Sequence, residues 1–334
     1  TERSTGSLSA GVGFSSVENF IFTAAISQDN LFGRGQRVSF SVELSSRRTN
    51  FNLAFTDPRL WDSDISGGID LFNKEKDFIS FDSDSRGGGV RLGKFFGEYD
   101  WVGVGYRFAD TTISDVDAED ETEFLRNETR TTSRITPSYI RDTRDDHLNP
   151  TTGMRHGLQF EVAGGVLGGS DFLKAGYGVS YYRPIIGKLV GMVHAEINWA
   201  DGYNDETLPA FERFFMGGSN SLRGFNIRDV GPKDADGDVL GGDQSLLFNV
   251  EAQYPITKNF RAFVFYDRGN VYGDGPDLST TADSFSLTEM RSGIGVGVRF
   301  LSPFGPIGLA YGIKLDKEDD EDLGEFHFSA GSVF

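Results

Sequence analysis

The sequence predicts an all-β protein: a 16-stranded antiparallel transmembrane β-barrel with a long extracellular loop folded inward. Three observations lead there. Apolar and polar side chains alternate along nearly the whole chain, short connections alternate with long acidic ones, and the chain ends on an aromatic-rich strand. The 334 residues include 43 Gly, 30 Phe and no Cys, and the mean hydropathy is −0.32. No apolar run reaches the ~18 residues of a membrane helix. That leaves barrel strands possible, because each needs only ~9–11 tilted residues and turns every second one toward lipid.

In chain order the segments centre on 7–15, 20–28 and 37–46. In the third, Val38, Phe40, Val42 and Leu44 alternate with Ser39, Ser41 and Glu43. Segments at 50–56, 64–72, 86–95, 101–110, 131–142, 155–164, 172–182 and 189–200 follow. The next, 242–254, sets Leu246, Phe248, Val250, Ala252 and Tyr254 against Ser245, Asn249, Glu251 and Gln253, with Leu247 out of pattern. After 260–272 comes 290–301, where Ile294, Val296, Val298 and Phe300 face away from Gly293, Gly295, Gly297 and Arg299. Segment 307–315 opposes Ile307, Leu309, Tyr311, Ile313 and Leu315 to Gly308, Ala310, Gly312 and Lys314, and 324–334 closes the chain. A period of two sends such sets to opposite faces of a sheet. No useful length shows a helical period.

The connections 29–36, 97–100, 184–188, 255–259 and 302–306 are short. Those at 73–85, 111–130, 201–241, 273–289 and 316–323 are longer and acidic, which matches an outer-membrane barrel with its long loops outside the cell. An even number of strands puts both termini on the short-turn, periplasmic side. A β-sandwich would spread its loops more evenly, and a propeller would show a repeat of ~40–50 residues that is absent here.

The net charge of −18 argues against nucleic acid as a partner. The acidic runs 115–123, 234–238 and 316–322 read as solvated loops, and 234–238 lacks the full spacing of a calcium loop. Without Cys there is neither a disulfide framework nor a thiolate metal site. His147, His156, His194 and His327 are scattered. His194 and Glu196 share a lumen face, but the sequence places no nucleophile beside them, so no enzyme, cofactor or metal is expected. Trp61, Trp101, Trp199, Tyr181 and Tyr182 fall near strand ends, as interfacial aromatics do.

The longest connection contains FMGGSNSLRGF at 215–225. Phe211, Phe214, Phe215, Met216, Leu222 and Phe225 make it too apolar for a free surface loop, so it is expected to fold into the lumen. Arg223 would then be desolvated and need a carboxylate. Glu251 and Asp267, on lumen-facing positions of the next two strands, are the expected partners.

The SLRGF segment, Leu222, Arg223, Gly224 and Phe225 included, resembles the loop motif of the BamA family of outer-membrane barrel-assembly insertases. FNVEAQYPI at 248–256 and FVFYDRGNVY at 263–272 resemble the two strands that follow it. Further matches are DPRLW at 57–61, DTRDDHLNPTTG at 142–153 and EFHFSAGSVF at 325–334. The resemblance covers essentially the whole chain and is specific to the superfamily, though not to one branch.

It implies a barrel that inserts other barrels into the outer membrane without covalent chemistry. Family members carry POTRA modules before the barrel, so residues 1–334 are expected to be the barrel domain of a longer protein. The implied partners are unfolded outer-membrane β-barrel substrates, outer-membrane lipid, and accessory lipoproteins reached through those modules. The implied working part is a seam between first and last strands, joining Ser7, Leu8, Ser9, Ala10 and Gly11 to Phe328, Ser329, Ala330, Gly331 and Phe334, which a disulfide, for example between Ala10 and Ser329 if the register permits, would lock. The alternatives are a two-partner-secretion transporter, which shares the loop motif, and a passive porin, which needs an open lumen.

Overall fold

In the computed structural model, residues 5–15, 18–78, 81–116, 125–233, 239–273, 285–302, 305–318 and 321–330 are described. Sixteen antiparallel strands form one closed barrel, each paired with its sequence neighbours and the last returning to the first. They are β1 (Gly6–Ser15), β2 (Asn19–Leu31), β3 (Gln36–Leu44), β4 (Arg48–Asp57), β5 (Ile65–Asp77), β6 (Asp82–Phe96), β7 (Asp100–Ser114) and β8 (Glu128–Asp142). The second half comprises β9 (Gly153–Ala163), β10 (Phe172–Ile186), β11 (Leu189–Gly202), β12 (Gln244–Pro255), β13 (Phe260–Tyr272), β14 (Arg291–Ser302), β15 (Gly305–Lys314) and β16 (Gly324–Ala330). Closure satisfies the backbone hydrogen bonds that an open sheet would expose to lipid.

The alternation sorts the side chains as the period of two requires. Leu53, Ile69, Val104, Val193, Val264 and Val296 form part of an exposed apolar belt. On β12 the inward set Leu247, Asn249, Glu251 and Gln253 is buried while Phe248, Val250 and Tyr254 point out. Leu247, the residue out of pattern, packs in a buried cluster with Met216, Leu222 and Phe225 of the long loop.

Two expected loops are partly strand. Residues 73–77 continue β5 and 82–85 begin β6; 111–114 continue β7 and 128–130 begin β8. The outward face of β5 changes from Ile69 and Leu71 to Asn73, Glu75 and Asp77. Apolar alternation stops where lipid would end, but the ladder continues to Asp77 paired with Asp82.

The seam departs further from expectation. Among the described residues, β1 and β16 are paired through Phe14 with Ala330 and Ser15 with Ser329. Other boundaries are longer; even β8–β9 and β15–β16 have seven pairs each. Ser329 therefore lies across from Ser15, and not from Ala10, which stands five positions earlier and so roughly 17 Å away along the strand. Ser7, Leu8, Ser9, Ala10 and Gly11 pair with β2 and have no β16 partner among the described residues. Gly331 and Phe334 lie outside those residues. Ala10 shares the outward face of Leu8 and Val12 whereas Ser329 is buried, so the offset of five sets these two residues on opposite faces.

Val296 is 59% exposed in the middle of β14. Val296→Arg should cost about 2–4 kcal/mol of barrel stability in a bilayer. Equilibrium unfolding from lipid vesicles checks this.

Candidate functional site

The connection between β11 and β12 turns into the barrel. Its stem is held by bridges between Phe214 and Gly242 and between Met216 and Val230. Leu222 and Phe225 are fully buried, and the cluster they form with Met216, Val230, Leu247 and Val271 supplies the loop with an apolar core.

Arg223, 5% exposed, sits between two acids of the wall. Its Nε and Nη2 donate to the two carboxylate oxygens of Asp267, each at 2.7 Å, and its backbone N–H donates to the same carboxylate at 3.1 Å. Nη1 donates to Glu251 at 2.5 Å. The guanidinium also lies 3.7 Å from the Phe265 ring centroid. A planar fork suits this bidentate, stacked geometry in a way an ammonium does not. Asn249 completes Asp267 at 2.8 Å while donating to the Ser221 carbonyl, also at 2.8 Å.

Gly224 adopts φ +98°, and its N–H donates to His327 Nε2 on β16 at 3.0 Å. The loop backbone runs so close to β14 and β15 that a Cβ on Gly293 would stand 2.1 Å from the Arg223 carbonyl oxygen, and one on Gly312 would stand 2.5 Å from the Gly224 nitrogen. Phe225 has the Arg291 guanidinium 4.9 Å and the Lys314 ammonium 5.2 Å from its ring. The motif thus touches β12 through β16 in succession.

A second anchor holds the loop to the opposite wall. Glu212 is buried in a 3₁₀ turn, Ala210–Glu212. Its carboxylate accepts from Arg134 on β8 and Lys174 on β10, both at 2.8 Å; Arg134 also reaches Glu161 on β9 at 2.9 Å. Burial alone would raise the Glu212 pKa, but the Lys174 and Arg134 charges hold it below the ordinary value of 4.5. The sequence carried one unused signal here, a single acid within the apolar stretch PAFERFF.

A polar chain also leads from the motif to the short-turn rim. Glu251 accepts from Gln253 at 2.6 Å, Gln253 accepts from Arg261 at 2.5 Å, and Arg261 donates to the Pro150 carbonyl at 3.1 Å. Pro150 belongs to the segment DTRDDHLNPTTG. That turn is rigid: Asp145 accepts from the backbone N–H groups of Thr151 and Thr152 at 2.8 and 3.0 Å, and Asp146 from those of Leu148 and Asn149 at 2.7 and 2.9 Å. Burial would raise the Asp145 pKa, but the bonds from Thr151 and Thr152 bring it down to about 2.

The loop fills the β12–β16 side of the lumen. Polar cavities remain on the other side, about 420 Å³ beside Lys174, His194, Glu196 and Asn198, and about 480 Å³ beside Asp70, Arg91 and Arg107. The first holds a nucleophile the sequence did not place. Ser180 Oγ is 2.9 Å from His194 Nδ1, and His194 Nε2 is 3.6 Å from Glu196. These residues lie on β10 and β11, whose backbone N–H groups pair along the ladder. They line the lumen. Among the described residues no cluster of three or more potential ligands could hold a metal. The acidic segment 234–238 lies outside them.

At the seam, Phe14 of β1 meets Phe328 of β16 with ring centroids 5.7 Å apart. Ser329 is buried.

Residues 30–334 match the model of the Omp85 superfamily domain. The chain belongs to the Omp85 superfamily. It is 31% identical, over all of its own length, to the outer membrane protein assembly factor BamA of Nitratidesulfovibrio vulgaris, and 28% identical, again over all of it, to that of Neisseria meningitidis serogroup B. It spans 42% and 48% of those proteins, less than half of either. A crystal structure of BamA from Haemophilus ducreyi lacking POTRA domains 1–3 superposes with a TM-score of 0.88 at 21% identity, covering 99% of this chain and 70% of that one.

Arg223→Ala leaves Asp267 buried without its cation and Glu251 with Arg299 at 3.5 Å, and should cost about 3–5 kcal/mol. Glu251→Gln or Asp267→Asn should each have a smaller effect. Urea unfolding followed by loss of heat-modifiable gel mobility measures all three.

Glu212→Gln should free the stem side of the loop while Arg223 still holds its tip. Limited proteolysis at 203–213 reads this. Because the Glu212 pKa is depressed, its contribution is complete above 4.5 and is lost as pH falls through the lower folded value. Wild-type protection should therefore persist at pH 5 and fail only in stronger acid; loss of protection between about pH 7 and 5 counts against the assignment.

Proposed function

We propose that this barrel is the membrane-embedded part of an outer-membrane protein assembly factor, and that it folds and inserts β-barrel proteins through the seam between β1 and β16. The observation that carries the proposal is the short described pairing between β1 and β16, two residue pairs against seven between β15 and β16. A strand with one side unpaired offers its backbone N–H and C=O groups to an incoming strand. In lipid such an edge is costly until it is filled, so a substrate strand is held there by the same backbone hydrogen bonds that close a barrel. The inward face of β1 is built from Ser7, Ser9, Gly11 and Gly13, which give its side chains little to hold it to the rest of the wall.

The BamA names of the relatives support this reading. So does the plugged lumen: Arg223, Glu212 and the apolar loop core occupy the space a diffusion porin would leave open. On this reading the chain sits in the bacterial outer membrane with its short-turn rim and both termini toward the periplasm. Unfolded barrel proteins and membrane lipid are its partners, and accessory lipoproteins act through POTRA modules on the periplasmic side. The work is done by strand templating, with no covalent step and no cofactor.

The register supplies the test. Ser15→Cys with Ser329→Cys should form a disulfide across the paired end, in a chain that has no other Cys. In full-length protein reconstituted into vesicles, oxidation should lower the insertion rate of a model barrel by about tenfold or more, and reductant should restore it. Full activity in the oxidised, locked protein would remove the seam from the mechanism.

A further inference from the structure

We infer that His327 is a positioning residue that ties the last strand to the lumen loop, so that the loop motif controls how firmly β16 is held at the seam. The inference rests on the seam reading above and adds the device that regulates it.

Among the described residues, β16 pairs with β1 over two residues and with β15 over seven. From outside, one ring contact bridges the seam, Phe14 with Phe328. From inside, the next residue back along β16, His327, is 4% exposed and accepts the Gly224 N–H at Nε2. Neighbouring residues of a strand face opposite ways, so Phe328 and His327 grip the two sides of the same strand.

The route to this contact is built into the wall. The Gly224 nitrogen can reach β16 only because the loop backbone passes over β14 and β15 at Gly293 and Gly312, where a methyl group would collide with it. The loop itself cannot yield, since Arg223, one residue earlier, is fixed by Asp267 and Glu251. A rigid donor therefore meets a strand whose described pairing on its other edge is two residues long. An acceptor Nε2 requires the ring proton on Nδ1, so the device works with one neutral tautomer. A buried hydrogen bond of this kind is worth enough to shift a two-state seam by about three- to tenfold.

The test reads the seam directly. Val12→Cys on β1 and Phe326→Cys on β16, both exposed, carry spin labels in full-length protein in vesicles. Electron double-resonance distances should show a population at longer separation increased about three- to tenfold in His327→Leu, which keeps bulk and loses the acceptor. His327→Gln offers a carbonyl in its place and should stay near wild type. Unchanged distances in folded His327→Leu overturn the inference.

If His327→Leu does not fold, nitrogen-15 spectra of the wild-type histidine decide. Nδ1 protonated with Nε2 bare and hydrogen-bonded supports the tether; the opposite tautomer overturns it. The oxidised Ser15→Cys and Ser329→Cys protein, run alongside, separates the two proposals. Activity in the locked protein sinks the seam reading, while an inactive locked protein together with an indifferent His327→Leu sinks the tether alone.

Discussion

The structure depends on one buried cation. Arg223 is held by Asp267 and Glu251 in a lumen where none of the three is more than 5% exposed. Unpaired, each would carry a desolvation cost of several kcal/mol; together they satisfy one another and fix the loop tip to within hydrogen-bond tolerance. Everything nearby follows from that point. Phe225 falls between Arg291 and Lys314, Gly224 reaches β16, and the stem runs back across the lumen to Glu212. Pairs of this sort contribute little net stability compared with apolar substitutes, but they tolerate few alternative arrangements. Here they specify one loop path among the many that an apolar plug could take.

Two walls are thereby joined. Glu212 is clamped to β8 and β10, Arg223 to β12 and β13, and the chain between them crosses the lumen. The Gln253–Arg261–Pro150 relay adds an axial link from the motif toward the short-turn rim. The barrel is braced from within in two directions, and among the described residues its boundary with the fewest strand pairs is the one between first and last strands.

Much of this was legible in the residues. The alternation yielded all sixteen strands because a wall between lipid and lumen enforces a period of two. The pairing of Arg223 could be anticipated because a buried guanidinium demands acids and only two lay on the next strands' inner faces. Strand ends at 73–77 and 111–114 were hidden, since pairing persists after the outer face turns polar. The seam register was hidden because alternation assigns each strand its faces without saying where one strand begins beside the next. The partners of Glu212 depended on the loop's path: several charges, among them Arg134, Glu161 and Lys174, line that wall, and sequence alone could not choose between them.

The glycines of β14 and β15 have a consequence for the order of assembly. The loop lies earlier in the chain than β12 to β16, the strands that form its socket. Were the cylinder completed first, Asp267 would stand in the wall without the Arg223 guanidinium, and Glu251 would be left with Arg299, 3.5 Å away. Wrapping the C-terminal strands around a loop already in place avoids that state and lets Gly293 and Gly312 slide against its backbone as they dock. The loop then serves as a mandrel on which its own barrel is wound.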